Sequence, residues 1–312
     1  MPVYVAYALV VIIWSTTPLA IQWSNDSVSF VTAVVMRMTL AAALALVAVL
    51  LLRRRLFTDA NAWKAYLAAS FGIFPNMLVV YWSAQFIPSG LIAVIFALSP
   101  FVTGGLSWLI LKENPFSRRR ILALVVALAG LCVIFWDQIQ IDERSVFGIG
   151  GILLSCGLFS LSSVSLKRLQ CSTGPLEQTA GALLFALPGL LLCWWLVEGT
   201  LPLPQTLSPK SLTGLLYLAV LGSLAGFTLF YFVLQRMTPS AVSLITLMTP
   251  VLALMIGSLV ADEHLSPSLL IGAGMVLLAL LAYLDLGVEA ALRQRLVKRK
   301  KATQTEVEVN GA

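Results

Sequence analysis

The sequence predicts an all-α integral membrane protein of ten transmembrane helices, built as two inverted-topology five-helix repeats. Three observations carry that prediction. Of 312 residues, 59% are hydrophobic and 11% charged, against about 45 to 50% and about 25% in soluble domains, so too little charge is available to coat a water-exposed surface. Ten stretches approach the length of about 20 apolar residues needed to cross a bilayer. A set of rarer residue types recurs at an offset of 150 positions.

The expected spans are 3–23, 30–52, 63–86, 89–111, 119–136, 147–167, 176–197, 213–235, 240–261 and 268–286. The first lacks a positive n-region and a small-residue cleavage site, so it reads as a retained helix. Cys132, Cys156, Cys171 and Cys193 have no metal-type spacing and fall in or beside apolar stretches, as packing residues do. The net charge of +6 is not spread as a nucleic-acid surface would require, because the basic residues sit in short runs between apolar stretches. With the N-terminus inside, 17 of the 20 basic residues face the cytoplasm: Arg53–Arg55, Lys64, Lys112, Arg118–Arg120, Lys167, Arg168, Arg236 and six in the tail. Only Arg144 and Lys210 lie outside, which sets both termini in the cytoplasm.

Across the offset, Gly72 pairs with Gly222, Tyr81 with Tyr231, Gln85 with Gln235, Ser99-Pro100 with Thr249-Pro250, and Glu113 with Glu263. The chain therefore divides into a first repeat at 1–145, a second at 146–286 and a basic cytoplasmic tail at 287–312. Five helices is an odd number, so the second repeat enters the membrane from the opposite side. Glu113 then ends the fourth helix at the cytoplasmic face and Glu263 the ninth at the outer face. Inverted repeats place a site near the midplane between them.

The midpoints of the helices separate into two groups. Helices 1, 3, 4, 6, 8 and 9 carry Trp14-Ser15-Thr16, Pro75-Asn76, Ser99-Pro100, Ser155-Cys156-Gly157, Gly222-Ser223 with Gly226, and Thr249-Pro250. Helices 2, 5, 7 and 10 are apolar or small there. Polar and helix-breaking groups at that depth must face protein or a water-filled cavity, so the six are expected around a cavity and the four at the lipid. The expected cavity residues are Trp14, Ser15, Asn76, Tyr81, Ser99, Pro100, Ser155, Phe159, Tyr231, Thr249 and Pro250. Each has a plainer alternative: a mid-helix hydroxyl bonds its own helix, a small residue lets helices pack closely, and a tyrosine makes a structural hydrogen bond.

Arg37 lies about 10 Å inside the outer end of its span, from where its head group can snorkel to the interface or make a structural pairing. Glu113 and Glu263 end helices at a C-terminus, an unfavourable place for a carboxylate. All three are expected to be structural or gating residues.

Two stretches, "ALSPFVTGGLSWLILKENPFSRRRILALVVALAG" and "LMTPVLALMIGSLVADEHLSPSLLIGAGMVLLAL", resemble the closing segment of the EamA repeat of the drug/metabolite transporter superfamily. There a proline in the fourth helix is followed about a dozen residues on by a glutamate at the helix end. The Arg37 context, "VTAVVMRMTLAAALAL", is similar to the second helix of that repeat, although the seventh helix offers no matching base. The resemblance covers 3–286 and implies a ten-helix exporter of amino acids or related metabolites in the bacterial cytoplasmic (inner) membrane.

The residues themselves exclude other classes. No midplane carries Asp or Glu, the one histidine is His264 in an outer loop, and no phosphate-binding Gly-rich loop is present. Catalysis is not expected, and neither is any cofactor or metal. A channel would show a charged ring or a selectivity filter; a channel and a lipid flippase remain as alternatives. A midplane without a countercharge favours a substrate of no net charge, such as an amino-acid zwitterion, with Trp14 and Phe159 offering aromatic faces. The expected partners are that small-molecule substrate and the lipid bilayer, with no nucleic acid, and the chain is expected to act as a monomer.

Overall fold

The computed structural model describes residues 1–57, 61–87, 89–136, 144–170, 172–199, 207–252 and 267–283. All ten expected spans are present in their described parts, with edges within a few residues. Spans one and two are continuous helices, α1 (Val3–Ser24) and α2 (Phe30–Leu51). Span three is split into α3 (Ala62–Ser70) and α4 (Asn76–Ser83), and span four into α5 (Ser89–Phe96) and α6 (Ser99–Leu111). Spans five, six and seven are α7 (Arg118–Phe135), α8 (Ser145–Leu169) and α9 (Pro175–Val197). Span eight runs from α10 (Pro209–Tyr217) through a π-helical segment (Leu218–Ala225) into α11 (Gly226–Leu234). Span nine begins with α12 (Pro239–Val242) and continues in α13, described over 245–252, and span ten is α14 (Pro267–Tyr283).

The sequence sets these boundaries locally. Ser29, Ser117, Ser208 and Thr238 stand at N-caps, where each side-chain oxygen accepts a backbone N–H from the first turn. Pro175, Pro209 and Pro239 sit just inside helix starts, where a missing N–H costs nothing. α6 and α8 stop where Lys112 (φ 61°) and Gln170 (φ 46°) turn left-handed. Leu50, Leu51, Trp108, Val146 and Leu196 are exposed on helix surfaces, as lipid-facing side chains must be.

Packing reproduces the internal repeat as a pseudo-two-fold. α1 packs on α10, the π segment and α11, and its repeat mate α8 packs on α3 and α4. Trp14 meets Gly222 and Ser162 meets Gly72, so the first helix of each repeat passes the equivalent glycine in the third helix of the other. Self-symmetric pairs mark the axis: α2 with α9, and α7 with α14. In the second pair Gly130 abuts Gly272 while Arg120 lies 5.5 Å over the Tyr283 ring, so the helices run antiparallel. An antiparallel pairing of repeat mates is what inverted topology requires.

Spans five and ten pack chiefly on each other, whereas spans two and seven enter the main core. α7 and α14 pack through an apolar cluster around Leu124, Leu131 and Val276 that also takes in Ala97, Leu244, Leu247 and Val251 of spans four and nine. α2 and α9 instead enter the main core with α1 and α11, through Val34, Met38, Ala41, Leu183 and Leu190. Their small, apolar midpoints are a close-packing surface as much as a lipid-facing one.

Candidate functional site

The two third helices of the repeats, spans three and eight, both lose regular α-helix at equivalent registers. In span three the chain turns between Ser70 and Asn76, with Pro75, joined to Phe74 by a cis peptide bond, unable to donate to the ladder. In span eight the π segment occupies 218–225, bringing Gly222 and Ser223 to the interface with α1 and α2. π segments are inserted turns that free backbone groups and recur at functional sites. Asn76 closes the first break: its Nδ2 donates to the Gly72 carbonyl at 3.0 Å, and its Oδ1 accepts from Ser155 at 2.6 Å. Both side chains are buried, which meets the requirement that an amide in this setting be partnered.

Trp14 closes the second break. Its Nε1 donates to the Gly222 carbonyl at 3.4 Å. The indole stacks on Phe230 at 5.3 Å and stands edge-on to Phe159 at 6.2 Å and Phe227 at 6.3 Å. Phe159 and Phe230 lie 5.2 Å apart, so rings from α1, α8 and α11 form one cluster joining the two repeats. Gly226 makes this possible, since a Cβ there would come within 2.7 Å of Trp14 Nε1. Trp14 and Phe159 remain half-buried. Phe227 and Phe230 escaped the sequence reading; their signal was the i, i+3 spacing of aromatics in "GFTLFYF" immediately after the break.

Of the two expectations for Arg37, snorkelling and a structural pairing, the second describes its contacts: the residue is 3% exposed. Nε donates to Ser223 Oγ at 2.9 Å and Nη1 to the Tyr81 hydroxyl at 3.3 Å, while Nη2 lies against Gly222, 3.3 Å from where a Cβ would stand. Span two thereby delivers a cation to the level of the π segment in the middle of span eight. The sequence reading placed no charge at the midplane because it assigned each helix only its own midpoint residues; a long side chain from a neighbouring helix fills the room that Gly222 leaves.

The remaining candidates divide by burial. Ser15 and Ser155 are buried, Ser15 bonding back to Ile12 in its own helix. Ser99 donates to Cys156 at 3.4 Å and Thr103 pairs with Ser160 at 2.8 Å, a polar seam between α6 and α8 in which Pro100 is also buried. Thr249 and Pro250 are half-buried on α13. Tyr81 is buried against Arg37, and Tyr231 is buried within the aromatic cluster, 5.5 Å from Phe230. Glu113 stands exposed at the end of α6, at the mouth of a cavity of about 200 Å³ that Ser107, Arg120, Ser240 and Tyr283 also line. Glu263 lies outside the described residues. Among the described residues no cluster of three His, Cys, Asp or Glu side chains converges.

A sequence profile described as the EamA-like transporter family matches residues 1–136 and 146–284, nearly the whole of both halves. The chain is 26% identical to protein PecM of Dickeya dadantii (strain 3937), over 72% of this chain and 75% of that protein. It is 23% identical to an uncharacterized transporter of Archaeoglobus fulgidus, over 89% of this chain and 96% of that one. The uncharacterized transporter YwfM of Bacillus subtilis (strain 168) is 30% identical over 59% of this chain and 60% of its own length. A crystal structure of 16% identical sequence superposes with a TM-score of 0.76, covering 94% of this chain and 98% of that one, a likeness of fold.

Proposed function

The chain belongs to the EamA-like transporter family, and from that premise we propose that it exports small zwitterionic metabolites, foremost amino acids with apolar or aromatic side chains. The route is from the cytoplasm across the bacterial inner membrane, with both termini cytoplasmic. The observation that carries this reading is the half-buried Trp14, set with Phe159, Phe227 and Phe230 at the seam between the repeats and beside the break in span eight. An aromatic wall takes up a ring or an alkyl side chain.

Transport proceeds by alternating access, the two five-helix repeats rocking about the seam. The interrupted spans three, four, eight and nine provide the places to bend. No carboxylate lies at a span midpoint, so the cycle runs as facilitated diffusion or weakly coupled exchange, with the solute's own gradient setting direction. The protein works as a monomer in the bilayer with the small solute as its partner and no nucleic acid.

Uptake of a labelled amino-acid panel into proteoliposomes, with and without a pH gradient, tests the reading. Saturable flux of phenylalanine or leucine, changed little by the gradient, is the expected result. Flux linear in concentration points to a channel, and preference for a polyamine contradicts the substrate class.

A further inference from the structure

Arg37 is a buried intramembrane charge that the described residues leave uncompensated. Its partners, Ser223 and Tyr81, are neutral hydroxyls. Among the described residues no carboxylate comes within 4.0 Å of it, the ion pair found there being Lys210 with Asp26. A guanidinium carries five N–H donors in a planar fork, of which these bonds use two. No hydrogen bond from Nη2 to an acceptor is found among the described residues. A charge inside a membrane protein is costly, and where one persists it marks a pathway or a ligand counter-ion. An arginine held for structure alone would be expected to have a carboxylate or a full set of carbonyls.

The surroundings name the ligand. The fork reaches Gly222 from one side, and the carbonyl of the same residue receives the Trp14 indole N–H. A group on Nη2 is therefore one residue from the aromatic cluster, the separation within a small molecule that carries a charged head and a hydrophobic side chain. A planar fork with free donors matches a carboxylate in geometry and charge. Resting on the transport reading above, we propose that Arg37 binds the carboxylate of the transported solute, making a carboxylate beside an apolar group the feature the site selects.

The test uses purified full-length protein with three probes: phenylalanine, phenylalaninamide and 3-phenylpropionate. The first and third carry the carboxylate; the first and second carry the amino group. As competitors of labelled phenylalanine efflux from proteoliposomes, the two carboxylates are expected to outcompete the amide by about 10- to 100-fold, the range for a hydrogen-bonded charge. In Arg37→Gln that discrimination collapses, and Arg37→Lys restores part of it.

Thermal unfolding in detergent supplies a second readout. Phenylpropionate raises the unfolding temperature of the wild type and not of Arg37→Gln. Unliganded Arg37→Met is expected to unfold at a higher temperature than the wild type, because it removes a charge held for a ligand. Equal competition by acid and amide, or no thermal response of the wild type to either carboxylate, overturns the proposal. So does an Arg37→Gln that loses all flux in proportion while keeping its carboxylate response, as a structural latch would. Carboxylate-dependent stabilisation without saturable flux would instead leave the binding site standing and remove the transport reading.

Discussion

Gly226 and Trp14 show how far a single methyl group is expected to reach. A Cβ at 226 would approach the indole nitrogen to 2.7 Å, and the ring can yield only by giving up its carbonyl bond or its stack on Phe230. Gly226→Ala is therefore expected to fold, to cut flux severely and to alter the Trp fluorescence spectrum; wild-type flux would place Trp14 outside the pathway. Ser155→Ala removes the donor to Asn76 Oδ1 and leaves a buried acceptor unpaired, a cost of about 1 to 3 kcal/mol that thermal unfolding should register. In the loop between α1 and α2 the Ser208 hydroxyl, with Lys210 beside it, holds the Asp26 carboxyl below the usual carboxylate range. A lowered folded pKa gives stabilisation that is complete above the unfolded value and fades as pH falls through the folded one. Accessibility of a cysteine at Asn25 should accordingly rise only on strong acidification, and an unchanged reading there would contradict the clamp.

Among the helices, the α7–α14 pair is the clearest case of close approach by small residues. A Cβ at Gly130 would stand 2.8 Å from the Gly272 carbonyl oxygen, and one at Gly272 would stand 2.4 Å from that of Gly130. Gly130→Val forces these backbones apart and should destabilise by about 1 to 3 kcal/mol. Because the pair lies outside the aromatic seam, the apparent affinity for substrate in the surviving folded protein should stay close to wild type. The sequence foretold the described span edges to within a few residues because about 20 apolar positions flanked by charge leave little freedom. It also foretold the breaks at Pro75-Asn76 and Gly222-Ser223, whose residue types resist helix or sit in it only with partners. The contact between Arg37 and Ser223, which are 186 positions apart, was not legible, because periodicity within one helix carries no information on which neighbour its face meets. For the same reason spans two and seven read as peripheral: an alanine-rich midpoint serves a lipid surface and a tight helix interface equally well.

For the molecule as a whole, the inverted repeat decides what kind of motion is available. The first helix of each repeat packs on the third helix of the other, an exchange that the proposed rocking of one half against the other would have to preserve. Cysteine labelling from outside should reach Asn25 and Lys210, and from inside Thr303; outward labelling at Thr303 would reverse the orientation set by the basic residues. The most direct measurement is the initial rate of labelled phenylalanine efflux from proteoliposomes against internal concentration, for wild type and Trp14→Ala side by side. A site at the seam between the repeats requires saturation in the wild type and loss of most of that flux in the variant, with the variant still folded. A linear rate in the wild type, or equal saturable rates in the two proteins, would contradict it.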